Sequence, residues 1–301
     1  MITVGKGTAG NTVEKDRQPE NLLSVTMSEN DFSLFSELIE NLCGIKMPRV
    51  KKTMLEARLR KRMRALGLRS FREYWNYIDS PKGKKIELVN MIDVVTTNKT
   101  DFFREPAHLE YLYNEALPEL LADPEREKHQ GLRIWSAGCS TGKEAYSLAM
   151  ILSEYSRNKG PLAFTIHGTD ISTKVLEKAA RGIYDQDKAE AIPPAYRKRY
   201  LLKSRDPEKR TIRIAPEIRS LATFSRLNFL EENYGFTIPF DVIFCRNVII
   251  YFERENQQRI LTRICRNLIP GGYLFTGHSE TLHGMTLPIR PLAPSVYRKD
   301  R

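Results

Sequence analysis

The chain has 301 residues, of which 41% are hydrophobic, and carries a formal net charge of +11. This length allows one large domain and a smaller one with a full apolar core. No uncharged apolar run approaches the roughly 18 residues that a membrane-spanning helix needs, and the polar start lacks the apolar block of a secretory signal. We therefore expect a cytoplasmic protein without membrane insertion.

The cysteines are scattered, and none of them forms a Cys-x-x-Cys pair. This spacing favours neither a zinc site nor a disulfide framework. We expect small buried thiols and no metal. The four residues are Cys43, Cys139, Cys245 and Cys265.

Positive charge is concentrated between Lys46 and Arg72, where eleven Lys and Arg residues face a single acid, Glu56. This segment therefore holds nearly the whole positive excess of the chain. Such a patch attracts nucleic acid, anionic lipid or a carboxylate-rich protein. The alternative is a solvated helix face without a partner.

The first part of the chain predicts a small all-helical domain over residues 27–82, preceded by a disordered tail over residues 1–26. A capping box at Ser28 begins the first helix, which ends at Gly44. An apolar stripe runs through the basic segment up to Gly67, so the basic patch is one face of a helix. A short helix and a linker at residues 80–85 follow.

Residues 83–301 predict an α/β domain. A polar loop, Thr96–Arg104, precedes a helix over residues 106–121, and strands and helices then alternate, which indicates a mostly parallel, doubly wound sheet. The predicted strands lie near residues 132–137, 164–169, 224–228, 240–245 and 272–276, and Ser295–Lys299 would close the sheet as an edge strand. The alternation is interrupted over residues 183–221, which predicts either a small antiparallel subdomain or an elaborated loop.

The turn between Gly138 and Gly142 follows a buried strand and precedes a helix, as in the first half of a βαβ unit. A P-loop ATPase would need a hydroxyl directly after the lysine, but Glu144 follows Lys143 here. A Rossmann-like methyltransferase that binds S-adenosylmethionine instead predicts an acid at the end of the next strand, and Asp170 supplies it. A plain α/β core, in which the glycines only form a turn, is the remaining alternative.

Polar residues follow several of the predicted parallel strands, and ligands of open α/β sheets bind at these strand ends. Asp170 suits the hydroxyls of a ribose. Asn228 and Phe229 suit the edge and face of an adenine. Arg246 and Asn247 could contact the cofactor's carboxylate or the substrate. Gly138, His278, Ser279 and Glu280 complete the set.

Six motifs in this order resemble those of the CheR-type chemotaxis receptor methyltransferases, which methylate glutamate side chains of bacterial chemoreceptors with S-adenosylmethionine. The motifs are Arg64–Leu68, Thr97–Arg104, Trp135–Gly142, Thr169–Ile171, Phe244–Phe252 and Gly277–Glu280. The resemblance implies a Rossmann-like methyltransferase domain with an inserted small β-subdomain and an all-helical N-terminal domain, acting in signal transduction.

The resemblance also implies the site residues. By the resemblance, Tyr251 would lie beside the reacting methyl group. The glutamate substrate is already ionised at neutral pH, so the protein mainly has to position it, and Arg104 could hold and orient its carboxylate. The cofactor contacts would be Asn98, Thr100, Arg104, Lys143, Asp170, Asn228, Phe229, Arg246 and Asn247.

Lys143 departs from the family pattern, which usually has two acids after the Ser-Thr-Gly turn. A lysine there would repel the ammonium and sulfonium groups of the cofactor. Glu144 could substitute for the missing acid, Lys143 could turn to solvent, or the affinity for the cofactor could be weakened. The alternative function is therefore a non-catalytic or weakened cofactor-binding signalling module.

The resemblance gives the basic helix a partner, since chemoreceptor methylation regions are helical and rich in glutamate. Arg58, Lys61, Arg62 and Arg64 would contact these acidic helices, and residues 183–221 could hold a receptor C-terminal peptide. A nucleic-acid methyltransferase is the other enzyme alternative. Residues 246–251 lack its common Asn-Pro-Pro-Tyr strand end, so we expect no nucleic-acid partner.

Overall fold

The computed structural model describes residues 25–123, 131–206 and 208–300. Of the tail predicted over residues 1–26, only Val25 and Thr26 fall in this part of the chain, and the rest lies outside the described residues. Within the described ranges, no helix combines the length and the apolar content that a membrane crossing requires.

Four helices pack around one apolar core in residues 27–95, which we call the helical module. Serine side chains begin three of these helices: Ser28, Ser70 and Ser80 each accept a hydrogen bond from a backbone N–H of the first turn, as capping residues do. Phe35 and Tyr74 are fully buried and stack on each other. The helices are α1 (Glu29–Cys43), α2 (Lys52–Leu66), α3 (Phe71–Asp79) and α4 (Pro81–Val95).

The linker predicted at residues 80–85 is wrong, because these residues form the beginning of α4. Pro81 lies in the first turn, where its missing N–H costs nothing. A Cβ on Gly83 would lie 1.9 Å from the carbonyl oxygen of Tyr77, so glycine permits the tight corner between α3 and α4. The predicted boundary between residues 82 and 83 therefore falls inside a helix that packs on α2 and α3.

Helical segments from Pro106 to Leu121 then lead into alternating strands and helices, as the sequence predicts. The helices before the first strand are α5 (Pro106–Tyr111) and α6 (Leu117–Leu121), joined by a π-helical turn. The next elements are β1 (Leu132–Ala137), α7 (Lys143–Lys159), β2 (Phe164–Asp170), α8 (Thr173–Arg181), β3 (Ile183–Asp185), α9 (Pro194–Tyr200), β4 (Leu201–Lys203), β5 (Thr211–Ile214), α10 (Pro216–Arg219) and β6 (Ala222–Arg226). The last are β7 (Phe240–Cys245), α11 (Arg254–Arg266), β8 (Leu268–Thr276), β9 (Ile289–Ala293) and β10 (Val296–Lys299).

The main sheet has the strand order β6-β2-β1-β7-β8-β10-β9. Its first five strands are parallel, and β10 runs antiparallel to both neighbours. Successive side chains of β1 enter different cores: Ile134 packs with residues of α7, and Trp135 packs with residues of α11. The strand order proceeds in opposite directions from the β1/β7 pair, which is the point where open α/β sheets bind ligands.

The antiparallel end of the sheet differs from the prediction. Ser295–Lys299 was expected as the edge strand, but β10 lies between β8 and β9, and β9 is the edge. Little in the sequence indicates β9, because Pro291 interrupts its pattern. Proline is tolerated there, since an edge strand needs fewer ladder hydrogen bonds.

The interrupted region is a small antiparallel subdomain with the strand order β3-β5-β4. Of the two alternatives for residues 183–221, this one is confirmed. Tyr184 is fully buried, and its hydroxyl donates a hydrogen bond of 2.6 Å to the carbonyl of Thr141. The subdomain is therefore attached directly to the glycine turn.

Candidate active site

The turn after β1 approaches the loop after β7 very closely at Gly138. This glycine has a φ of +78°, and a Cβ in its place would lie 2.4 Å from a methyl group of Val248. Glycine tolerates this positive φ and has no Cβ that would collide with Val248, so it is the residue that fits here. The two loops can therefore form adjoining walls of one cavity.

A cavity of about 270 Å³ opens at the carboxyl ends of the parallel strands. Most of the strand-end residues meet there as the sequence predicts, but His278 and Glu280 do not line the cavity. The binding roles of all of them stay predictions. The predicted site residues that line it are Asn98, Thr100, Arg104, Asp170, Asn228, Phe229, Arg246, Asn247 and Tyr251. Residues from four distant parts of the chain thus border a single space.

Asp170 ends β2 and presents a buried carboxylate to the cavity. One oxygen accepts a hydrogen bond of 2.9 Å from the Ser140 N–H, and the other accepts one of 2.9 Å from the Ser172 N–H. Burial raises the pKa of Asp170, while these backbone donors oppose the rise. Each carboxylate oxygen can accept a second bond, so the group suits a pair of neighbouring hydroxyls.

A buried ion-pair network forms the next part of the wall. The Arg246 side chain is 3% exposed, and its Nε donates to Glu144 Oε2 at 2.8 Å. Its Nη1 donates to the carbonyl of Arg104 at 2.8 Å and lies 3.5 Å from Glu105 Oε2. The other Glu144 oxygen accepts a bond of 2.7 Å from Ser136. Arg246 therefore orients Glu144, which itself lines the cavity.

Lys143 does not line the cavity, contrary to its predicted place among the cofactor contacts. It does not reach solvent either, since the residue is 7% exposed. Its Nζ donates to the carbonyl of Thr100 at 2.8 Å and lies 3.6 Å from Asp101 Oδ1. Consecutive helical residues point about 100° apart, so only one of Lys143 and Glu144 can face the crevice. That residue is Glu144.

The loop that carries Arg104 is held from two sides. The carbonyl of Asn98 accepts a bond of 2.9 Å from Ser140 Oγ, and the Phe103 N–H donates to Ser147 Oγ at 3.0 Å. The side chain of Arg104 remains 36% exposed. The loop thus presents a partly exposed guanidinium to the cavity.

The helical module closes the far side of the cavity. Asn228 donates to the carbonyl of Leu42 at 2.7 Å, and the Lys46 N–H donates to the carbonyl of Tyr251 at 2.9 Å. The ammonium of Lys51 lies 5.7 Å from the centre of the Tyr251 ring. The apolar residues that the module adds to the lining are Cys43, Ile45, Met47 and Met54.

Two of the four basic residues predicted to face a receptor form hydrogen bonds with other residues of the helical module and the loop after it. Arg62 donates to both carboxylate oxygens of Glu87, at 2.7 and 2.8 Å. Arg58 donates to the carbonyls of residues 95 and 96. Lys61 and Arg64 are exposed. The charged surface of α2 is therefore smaller than its composition suggests.

Glu280 organises the loop after β7, a role that the sequence motifs did not indicate. Its carboxylate accepts backbone hydrogen bonds of 2.6 to 2.9 Å from Gly277, Asn247, Val248 and Ile249. Asn247 adopts a left-handed φ of +59° within this arrangement. Burial raises the pKa of Glu280, and the four N–H groups oppose that rise. Its place just after the last parallel strand was the available signal.

Replacing Glu280 with glutamine should lower the free energy of unfolding by about 2 kcal/mol, because an amide nitrogen would face N–H donors that cannot pair with it. Urea denaturation of the variant measures this loss. Glu255→Gln, at a side chain that is 76% exposed, is the control and should unfold like the wild type. Equal stability of the two variants would contradict the role of Glu280.

Beside the cavity, Glu105, His108 and His278 place possible metal-ligating atoms within 4.8 Å of one another. However, Arg246 Nη1 lies 3.5 Å from both Glu105 Oε2 and His108 Nδ1. Burial and the nearby Arg246 lower the pKa of His108. A guanidinium already supplies the positive charge here, so we interpret the cluster as part of the ion-pair network.

Comparisons with known proteins agree with this architecture. Residues 30–96 match the family described as "CheR methyltransferase, all-alpha domain", and residues 98–296 match "CheR methyltransferase, SAM binding domain". The second range contains every predicted cofactor and catalytic residue.

Similar proteins named "Chemotaxis protein methyltransferase" include one from Borreliella burgdorferi, 34% identical over 92% of this chain and 97% of that protein. One from Escherichia coli is 38% identical over 87% of this chain and 91% of that protein. "Chemotaxis protein methyltransferase 2" from Pseudomonas aeruginosa is 36% identical over 90% and 93%, respectively. The predicted fold class and cofactor are confirmed, and the chain belongs to the CheR family of S-adenosylmethionine-dependent chemotaxis methyltransferases.

Proposed function

We propose that this protein transfers the methyl group of S-adenosylmethionine to glutamate side chains on the cytoplasmic helices of chemoreceptors. The products would be glutamate methyl esters, used for adaptation in chemotaxis, and the enzyme would work in the cytoplasm. The observation that carries this proposal is the set of charged groups on the cavity wall. The carboxylates of Asp170 and Glu144 are largely buried, and the cations Lys51, Lys99 and Arg104 are more exposed.

The inner wall suits the cofactor. Asp170 can accept the ribose hydroxyls, and Glu144 can accept the ammonium of the methionyl part. Phe229, Ile171 and Val248 add apolar surface for the adenine. These groups therefore suit the ribose, the ammonium and the adenine of S-adenosylmethionine.

The more exposed cations suit a carboxylate substrate. Lys51, Lys99 and Arg104 line the cavity. A guanidinium can bind a carboxylate with two parallel hydrogen bonds, which also orients it. We assign this substrate-binding role to Arg104, and Tyr251 lies in the adjoining wall. This assignment stays a prediction.

The reaction needs no general base from the protein, since a glutamate side chain, whose pKa is ordinarily about 4.3, is already ionised at neutral pH. S-adenosylmethionine, when bound, supplies a methyl group on a sulfonium, so attack by a carboxylate oxygen forms the C–O bond as the C–S bond breaks. Two opposite charges disappear in this step. The apolar wall of Ile45, Met47 and Met54 favours it by limiting water around those charges.

Receptor recognition would use two further surfaces. The exposed cations Lys61 and Arg64 on α2 would attract glutamate-rich helices. In the inserted subdomain, β4 is an edge strand whose Leu202 is 50% exposed. An extended receptor C-terminal peptide could add to that edge as a further strand.

The test is methyl transfer from radiolabelled S-adenosylmethionine to a purified chemoreceptor cytoplasmic fragment. Label should enter the fragment and be released as methanol by mild base, because only a carboxylate gives a base-labile methyl ester. A fragment whose methylation-site glutamates are replaced by alanine is the control. Base-stable label, or transfer to RNA or DNA instead, would refute the proposal.

The double substitution Lys61→Glu and Arg64→Glu should raise the KM for the receptor fragment about tenfold at low salt and leave kcat unchanged. The difference should shrink as salt is added, because exposed charges are screened. Steady-state kinetics at two ionic strengths measure both effects. Arg157→Glu with Lys159→Glu makes the same charge change at the far end of α7 and should not alter KM. Equal KM values for the two double variants would exclude this surface.

The alternative function, a module with a weakened cofactor site, depended on Lys143 facing the cofactor. Because Glu144 lines the cavity and Lys143 does not, no observation favours that alternative.

A further inference from the structure

Residues 96–104 form a part of the cavity wall that side-chain hydrogen bonds hold in place. This segment joins α4 to α5 and contains neither helix nor strand. No ladder of backbone hydrogen bonds therefore fixes its path. It nevertheless contributes Asn98, Thr100 and Arg104 to the lining. A small number of bonds must set the positions of three predicted site residues.

Three anchors join this segment to the glycine turn and to the first turns of α7. Ser140 binds the Asn98 carbonyl, Lys143 binds the Thr100 carbonyl, and Ser147 binds the Phe103 N–H. The first and last anchors are neutral hydroxyls. Lys143 is the charged one of these three, and charge-assisted hydrogen bonds are roughly twice as strong as neutral ones. Arg58 and Arg246 hold the two ends of the segment, at the carbonyls of Thr96 and Arg104, and Lys143 holds its middle.

The surroundings of Lys143 show how firmly its ammonium is held. The side chain is 9% exposed, and besides the 2.8 Å bond to Thr100 it lies 3.6 Å from the Asp101 carboxylate. It also lies 5.8 Å from the centre of the Phe102 ring. Three consecutive residues of the segment therefore surround one buried cation. Burying an ammonium is unfavourable unless such partners compensate it.

We propose that Lys143 is a positioning residue, whose ammonium fixes residues 98–104 in the conformation that binds the cofactor. This inference rests on the proposed cofactor site. It gives the departure from the family pattern a structural purpose. A glutamate at this position would face the Thr100 carbonyl and Asp101, so Lys143→Glu should weaken cofactor binding rather than strengthen it.

The sharper test compares Lys143→Met with Lys143→Arg in the full-length protein. Methionine keeps the apolar stem and loses the donor, and we expect it to weaken binding of S-adenosylhomocysteine about tenfold by calorimetry. Arginine keeps a charged donor and should bind within about threefold of the wild type. Lys159→Met, at an exposed lysine on the same helix, is the matched control and should show no change.

Hydrogen exchange supplies a measurement that is independent of binding. Peptides covering residues 96–104 should exchange faster in Lys143→Met than in the wild type, while peptides from the sheet exchange at the same rate. If Lys143→Met does not fold, Lys143→Gln, which keeps an uncharged donor, replaces it with the same expectations. Wild-type affinity together with wild-type exchange at residues 96–104 would overturn the proposal.

Asp170→Asn separates this inference from the proposed site on which it rests. If Asp170→Asn binds S-adenosylhomocysteine as well as the wild type, the cofactor site is misplaced and the inference about Lys143 falls with it. If Asp170→Asn loses binding and Lys143→Met does not, only the positioning role is refuted.

Discussion

Replacing Arg246 with methionine should lower the free energy of unfolding by about 3 to 5 kcal/mol, the usual cost of leaving buried charges without their partner. The substitution removes the cation that lies between Glu144 and Glu105, whose side chains are 12% and 11% exposed. Binding of S-adenosylhomocysteine should also be lost, because the repelled Glu144 would no longer hold its place in the cavity. Urea denaturation and calorimetry measure the two effects.

Arg246→Lys should rescue neither property fully. Arg246 uses separate nitrogens for Glu144 and for the carbonyl of Arg104, and an ammonium cannot reproduce that planar arrangement. Arg259→Met is the matched control, because Arg259 pairs with Glu255 on the surface of α11 and both side chains are largely exposed. It should cost less than about 1 kcal/mol. A similarly small cost for Arg246→Met would show that the network does not organise the site.

Asp170→Asn should weaken binding of S-adenosylhomocysteine about a hundredfold, since hydrogen bonds to a charged group are worth about 1.5 to 3 kcal/mol each. The amide would also turn one N–H group towards the backbone donors of Ser140 and Ser172. Calorimetry measures the affinity, and Asp185→Asn, in an exposed position of β3, is the control. Binding within about threefold of the wild type would contradict the ribose assignment.

The pH dependence of binding tests the same group. Burial raises the pKa of Asp170, so as the pH falls its carboxylate takes up a proton earlier than an ordinary aspartate does. Wild-type affinity should therefore begin to decline at a higher pH than the one at which an ordinary aspartate takes up its proton, as the ionised acceptor is lost. The asparagine variant should lack this decline. Calorimetric titrations over a pH series compare the two proteins.

The strand-end residues could be predicted because the topology alone brings them together. Asp170 ends β2, Asn228 follows β6 and Arg246 follows β7. Parallel strands place their carboxyl ends along one edge of the sheet, whatever the details of packing. The prediction therefore needed only the alternation of strands and helices, which the apolar pattern indicates well.

The position of Lys143 could not be predicted in the same way. Its neighbour Glu144 lies on the same helical turn, and the sequence does not say which of the two faces the crevice. That depends on the rotation of α7, which the packing of its buried residues against the sheet determines. Arg62 illustrates a related limit, because its partner Glu87 lies on a different helix. The sequence shows how many charged residues a segment has, but not which of them pair with acids elsewhere in the fold.

The wrong prediction of a linker at residues 80–85 has a more local cause. Serine, proline and glycine close together are typical of a turn, but Ser-Pro is also a common way to begin a helix. The contact between Gly83 and Tyr77 decides between these alternatives, and it forms only when α3 and α4 pack together.

The hydrogen bond from Asn228 to Leu42 has a thermodynamic consequence. It connects a residue that borders the cavity to the last turn of α1, so occupancy of the cavity and attachment of the helical module are linked equilibria. A ligand that strengthens this hydrogen bond also makes the attachment of α1 to the sheet more favourable. The coupling is reciprocal, so attachment of α1 makes ligand binding more favourable by the same free energy.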